Sequence, residues 1–229
     1  MPLDSLPNAR LYGILDLGYV QPDAVETMTA ALCRGGVDLL QLRAKKADKR
    51  EIELLARRMQ VVLKDFNVPL IINDHADIAA EIGCEGIHVG QDDDAVAKAR
   101  EVTRGACFVG KSTHSLAQAV AAQAEGADYI GFGPLYATGT KPDYVPVGLA
   151  DIAEVHQRVS LPVFCIGGVN AARLDEVLAA GARRVLVVSA FLTASDVVSE
   201  VKALKARLRP PENFCGPPRI SWTSPIEPH

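Results

Sequence analysis

Residues 37–74 read VDLLQLRAKKADKREIELLARRMQVVLKDFNVPLIIND, and this stretch decides the fold class. It opens and closes on short apolar runs, VDLLQLR (37–43) and PLIIND (69–74). Their nearly continuous hydrophobicity suits strands buried on both faces of a parallel sheet. Between them, Ile52, Leu55, Met59 and Val62 recur at helical spacing and predict an amphipathic helix over 51–63. The pattern repeats in both directions. Further apolar runs are LYGILD (11–16), GIHVGQ (86–91), CFVGKS (107–112), DYIGFG (128–133), PVFCIGG (162–168) and RVLVVSA (184–190), and Val197, Val201, Leu204 and Leu208 mark a last helix. Eight strand–helix units of roughly 25 residues predict an α/β fold, a single (βα)8 TIM barrel over residues 1–208. An open doubly wound sheet is the competing arrangement. Gly35-Gly36, Gly126-Ala127 and Gly181-Ala182 precede strands, as helix C-caps would.

Composition narrows the class. The chain has 229 residues, 48% hydrophobic and 23% charged, which excludes wholesale disorder. Lys+Arg 24 against Asp+Glu 28 leaves a net charge of −4, so no global positive field draws in nucleic acid or an anionic membrane. The longest uncharged apolar stretch near the C-terminus, 185–195, falls short of the roughly 20 residues that span a bilayer. No basic segment followed by an apolar one marks the N-terminus as a secretory signal. Cys33, Cys84, Cys107, Cys165 and Cys215 are scattered without CxxC spacing and read as core residues in a reducing, cytoplasmic setting. Residues 209–229 hold six of the fourteen prolines and the single Trp, Trp222, and predict a flexible Pro-rich tail outside the barrel.

In such a barrel, chemistry belongs to the carboxyl ends of the strands and the loops that follow. Those ends carry Gln41-Leu42-Arg43-Ala44-Lys45, Asn73-Asp74, Gln91-Asp92-Asp93 and Lys111-Ser112-Thr113-His114, then the long polar loop 134–147 with Thr138-Gly139-Thr140-Lys141. Gly167-Gly168-Val169-Asn170 and Val188-Ser189-Ala190 follow. Bare backbone amides in the last two segments suit a phosphate, because the loops after strands 7 and 8 are where such barrels bind one. Asp74 and Asp93, on neighbouring strand ends, suit Mg²⁺, which takes one or two carboxylates and fills its shell with water and phosphate oxygens. Arg43, Lys45 and Lys141 suit a diphosphate. Asp77, Asp92 and Asp94 read as helix caps or solvated acids. Lys46, Lys49 and Arg50 read as a solvated helix face. His88 reads as structural, while His75 and His114 stay open. No Ser–His–Asp or HExxH pattern stands out, so the chemistry needs no protein nucleophile.

The motifs QLRAK (41–45), IIND (71–74), GIHVGQDD (86–93), GKSTHS (110–115), GPLYATGTKPD (133–143), IGGV (166–169) and VVSA (187–190), in this order and spacing, resemble the thiamine-phosphate synthase family from about residue 11 to 208. The resemblance implies a barrel that joins 4-amino-2-methyl-5-(diphosphooxymethyl)pyrimidine to 4-methyl-5-(2-phosphooxyethyl)thiazole. It implies that Gln41, Arg43, Lys45, Asn73, Ser112 and Lys141 hold the pyrimidine diphosphate, with Arg43, Lys45, Ser112 and Lys141 catalytic. It implies Mg²⁺ on Asp74 and Asp93, and the thiazole phosphate on Thr138, Gly139, Thr140, Gly168, Val188 and Ser189. Ala44 and Lys111 depart from the family pattern, and Lys111 adds a cation expected to alter local charge. A thiazole tautomerase relative and a non-catalytic phosphate sensor are the rival readings. The partners expected are the two small molecules; a homo-oligomer is left open.

Overall fold

The computed structural model describes residues 6–92, 95–138 and 145–208. Eight strands, β1 (Leu11–Asp16), β2 (Leu39–Arg43), β3 (Leu70–Asn73), β4 (Gly86–Val89), β5 (Phe108–Thr113), β6 (Tyr129–Phe132), β7 (Val163–Ile166) and β8 (Val185–Val187), form a closed barrel in sequence order. All pairings are parallel, and β8 returns to β1 through Leu11↔Val185 and Gly13↔Val187. The closed ring sets aside the open-sheet alternative.

The helices follow the strands in alternation: α1 (Val25–Gly35), α2 (Lys49–Phe66), α3 (Ala76–Ile82), α4 (Ala95–Thr103), α5 (Leu116–Ala124), α6 (Ile152–Arg158), α7 (Leu174–Ala179), α8 (Ser189–Leu192) and α9 (Val197–Arg207). Helix α2 shows why they form. The Asp48 carboxylate accepts from the Glu51 amide at 2.9 Å and caps its start. Asn67, at φ 54°, turns the chain out of its end. Its buried stripe is Ile52, Leu55, Ala56, Met59 and Leu63; Val62, expected there, is only half-buried. Gly36, Gly126 and Gly181 take positive φ at or just past the ends of α1, α5 and α7, as expected of helix stops. The run RVLVVSA divides: its strand ends at Val187 and Ser189 begins α8.

Two apolar layers result. The larger lies between strands and helices; Cys33, Cys84, Cys107 and Cys165 are buried there as free thiols. Burial alone pushes the Cys33 and Cys165 thiols up to about 12, which keeps them protonated and inert. Cys215 and the rest of the expected tail lie outside the described residues. The second layer fills the lumen with Tyr12, Leu39, Ile71, Phe108, Tyr129, Phe164 and Leu186. Its rings meet edge-on, Tyr12 and Phe164 at 5.4 Å and Tyr129 and Phe164 at 5.7 Å between centroids. Gly110 makes room for them, since a Cβ there would stand 2.0 Å from the Tyr129 ring.

The amino-terminal end of the barrel is sealed. Leu6 and Ala9 cover the lumen layer. Arg184, buried just before β8, donates to the carbonyls of Ala9 at 3.0 Å and Pro7 at 2.9 Å. Arg10 bonds the carbonyl of Leu208, tying the two ends of the described chain together.

Candidate active site

The opposite end is open, and a set of polar side chains converges on it among apolar walls. Its mouth holds about 830 Å³ of empty space, counted out into solvent, lined among others by Gln41, Arg43, Asn73, Ser112, Thr138, Gly168, Val188 and Ser189. All eight were expected from the sequence. Lys45 and Asp74 stand on the rim beside them, while Asp93, Gly139, Thr140 and Lys141 lie outside the described residues.

Alternation along each strand explains the gathering. On β2, Leu39 packs in the lumen layer, Gln41 sits a level higher and Arg43 reaches the mouth. The Arg43 guanidinium is held by the Asp16 carboxylate at the end of β1, which also accepts from the Gly18 amide at 2.8 Å. Both side chains are largely buried, so Asp16 balances a charge that would otherwise be costly to desolvate. On the rim, one Asp74 oxygen accepts from Lys45 Nζ and from Asn73 Nδ2, the latter at 2.7 Å. Asp74 has φ 66°, unusual for a side-chain-bearing residue, and its amide donates to the His88 carbonyl at 2.9 Å. A strained backbone held by its neighbours is typical of functional positions.

Across the mouth the chain doubles back through Gly167 and Gly168, both at positive φ. A Cβ on Gly168 would stand 2.8 Å from the Arg173 guanidinium and 2.9 Å from Tyr136 Cβ. Arg173 lies over the Tyr136 ring at 4.3 Å and donates to the Gly168 carbonyl at 3.1 Å, so the turn is braced from behind. By strand order β7 stands opposite β3, and the glycine turn therefore faces the Asn73–Asp74 rim.

Several expectations change. His88 lines the mouth, with Nε2 3.0 Å from Ser112 Oγ and Nδ1 3.0 Å from the Tyr129 hydroxyl. Lys111 contributes no charge there: strand alternation turns it outward, where it is buried and paired with Glu125 at the end of α5. His114 lines the mouth and bonds the Gly133 carbonyl; the cap of α5 is Ser115. Of the two readings for Asp77, the solvated acid holds: it is half-exposed and pairs with Lys49 of α2, whose ammonium holds its carboxyl below the usual range. Asp16, Tyr12 and Tyr129 are additions. Asp16 closes LYGILD at a strand end, a signal in plain sight, whereas the tyrosines carry no mark separating them from core aromatics.

With this geometry in place, the profile of the TMP-TENI family, described as thiamine monophosphate synthase, matches residues 11–191. The chain belongs to this family. The thiamine-phosphate synthase of Halalkalibacterium halodurans is 40% identical over 189 residues, covering 82% of this chain and 90% of that one. That of Shouchella clausii is 40% identical over 201 residues, covering 87% and 96%. Among solved structures, the thiamine phosphate pyrophosphorylase from Pyrococcus furiosus superposes with a TM-score of 0.79 at 29% identity, covering 89% of this chain and 96% of that one. Membership of the thiamine-phosphate synthase family makes this chain a transferase of thiamine biosynthesis on a TIM barrel. No described helix is long and apolar enough to cross a membrane.

Proposed function

We propose that this chain joins 4-amino-2-methyl-5-(diphosphooxymethyl)pyrimidine to 4-methyl-5-(2-phosphooxyethyl)thiazole, giving thiamine phosphate and diphosphate, or to its carboxylated form, with CO2 released as well. The observation that carries the reading is the division of one mouth. Cations and a carboxylate cluster at β2–β3, and a glycine turn with Val188 and Ser189 stands at β7–β8. A diphosphate on the first side and a phosphate monoester on the second would bring the two rings together between them.

On the first side, Arg43 grips diphosphate oxygens in the orientation Asp16 imposes. Lys45, Lys141 and the Ser112 hydroxyl add donors, and Gln41 and Asn73 orient the pyrimidine and its diphosphate. On the second, Gly168, Val188 and Ser189, with Thr138, Gly139 and Thr140, hold the thiazole phosphate. As the methylene–oxygen bond breaks, these donors neutralise the charge gathering on the diphosphate, and the thiazole nitrogen attacks the pyrimidine cation.

Asp74 and Asp93 would hold Mg²⁺. The donor chemistry fits: Asp74 offers a half-exposed oxygen-ligand carboxylate at the rim, and Mg²⁺ completes its shell from water and phosphate. Bound there, the ion would supply positive charge against the leaving diphosphate. A tautomerase, which keeps the thiazole phosphate pocket without diphosphate transfer, would not need Gln41, Arg43, Lys45, Asn73, Asp74 and Ser112 together at one mouth. The buried thiols support a reducing, cytoplasmic setting.

Mixing both substrates with Mg²⁺ and following diphosphate release tests this. Release should track thiamine phosphate formation, stop with excess chelator and resume with fresh Mg²⁺. Thiazole phosphate binding without diphosphate release would overturn the transferase reading in favour of the tautomerase or sensor.

A further inference from the structure

Beneath the mouth, five polar side chains from five strands form a line of hydrogen-bond contacts across the lumen, and the sense in which they donate is set by Gln41 at its end. Gln41 Nε2 can only donate, and its partner is the Tyr12 hydroxyl, whose oxygen therefore accepts. Tyr12 is completely buried, and the next oxygen along is the Tyr129 hydroxyl at 3.1 Å, where either can donate; with the Tyr12 oxygen already accepting from Gln41, the satisfied sense has Tyr12 donating. Tyr129 is buried as deeply, and in that sense its proton goes to His88 Nδ1 at 3.0 Å. A ring nitrogen that accepts leaves the imidazole proton on Nε2, which donates to Ser112 Oγ at 3.0 Å. The Ser112 hydroxyl proton is then left for the pocket that Ser112 lines. Burial pushes both phenols far above their ordinary range, so neither tyrosine ionises and the line keeps its full set of protons.

We infer that Tyr12, Tyr129 and His88 are positioning residues: they fix the Gln41 amide at one end of the line and, at the other, commit the Ser112 hydroxyl to act as a donor toward an incoming diphosphate oxygen. The inference rests on the reading of Gln41 and Ser112 as contacts to the pyrimidine diphosphate. Its physical content is directional. Diphosphate oxygens only accept, so a serine that had given its proton to His88 would meet them with lone pairs. The line prevents that by giving His88 a tautomer that donates. The Gln41 amide and the line are coupled: turning its oxygen toward Tyr12 would make Tyr12 donate to it and would reverse every later bond, leaving Ser112 to give its proton to His88.

Tyr129→Phe keeps the ring and removes the central link; Tyr12→Phe breaks the line one step earlier. The first readout needs no turnover: a ¹⁵N–¹H spectrum of histidine-labelled protein, with His88 assigned by loss of its signals in His88→Gln. The wild type should show the Nε2-protonated tautomer, and Tyr129→Phe should lose that preference. The second is kinetic. In Tyr129→Phe, KM for the pyrimidine diphosphate should rise roughly tenfold, as when one hydrogen bond to a charged group is lost, while KM for the thiazole phosphate stays within about twofold. Tyr12→Phe should shift the same constant in the same direction. An Nδ1-protonated His88 in the wild type, or equal rises in both constants, would overturn the inference. A wild type that releases no diphosphate would instead count against the reaction reading, and the tautomer would still decide the line. If Tyr129→Phe does not fold, the wild-type spectrum and Tyr12→Phe decide it.

Discussion

At the floor of the barrel, β1, β5, β6 and β7 place Tyr12, Phe108, Tyr129 and Phe164 in a layer sealed from below by Leu6 and Ala9. A few residues on, the neighbouring strands place Gln41, Arg43, Asn73 and Ser112 around an open pocket. Most of the floor satisfies itself: its rings interlock and Arg184 finds backbone acceptors, while the Tyr12 and Tyr129 hydroxyls reach up to Gln41 and His88. The mouth is made of groups that a ligand completes. Residues of one strand two positions apart thus divide packing from chemistry by depth along the barrel axis, with the Tyr12 and Tyr129 hydroxyls linking the two levels. Substitutions at the two ends should separate in what they disturb.

The largest effect is expected at the floor. Phe108→Ala empties a fully enclosed ring site and should cost about 3–5 kcal/mol by urea unfolding, while KM values of the surviving folded enzyme change little. A loss of substrate affinity without a loss of stability would break the comparison. Next comes pH. His156, near the floor end of α6, is held down to about 4 by burial and by Arg183 and Arg184. The unfolded chain takes up this proton near 6.5 and the folded chain only near 4, so stability is complete above 6.5 and lost as pH falls toward 4. The loss should reach at most roughly 3 kcal/mol. Comparing wild type with His156→Gln at pH 7 and pH 4.5 isolates it, and equal slopes would refute it.

The mouth should respond in turnover. Asp74→Asn keeps the shape of the side chain and removes the rim carboxylate. Turnover should fall at least about a hundredfold, roughly 2.7 kcal/mol, with a raised Mg²⁺ requirement. Its melting temperature should hold, because the Lys45 pair it breaks is half-exposed. The smallest effect sharpens the comparison within the mouth. Gly168→Ala, at φ 69° and against Arg173 and Tyr136, should shift the glycine turn and cost about 1–3 kcal/mol of backbone strain. Michaelis constants measured in parallel should rise several-fold for thiazole phosphate and stay flat for the pyrimidine diphosphate.

What the sequence made legible follows the same division. Strands buried on both faces leave uninterrupted apolar runs, and all eight were readable. Cations, acids and glycines at strand ends stand out because nothing in the core requires them. The lumen was harder. Whether Tyr12, His88 or Lys111 faces inward is set by strand register and barrel stagger, which residue type does not encode; hence His88 read as structural and Lys111 as a rim charge. Helix α2 shows the same limit on a smaller scale. Ten residues on from Ile52, Val62 falls about 80° short of a whole number of turns, while eleven bring Leu63 back onto the buried face. Asp16 was overlooked although it ends a strand like the others, because its work is to hold Arg43 and not to meet a ligand.

The bonds from Arg184 to Pro7 and Ala9 have a consequence in time. They connect residues up to 177 positions apart, and β1 closes on β8 across a similar interval. During synthesis β1 emerges with one edge bare and keeps it bare until the last strand has left the ribosome. Closure is therefore the late, entropically expensive event of folding, and nascent chains stopped short of β8 present a sticky edge to one another.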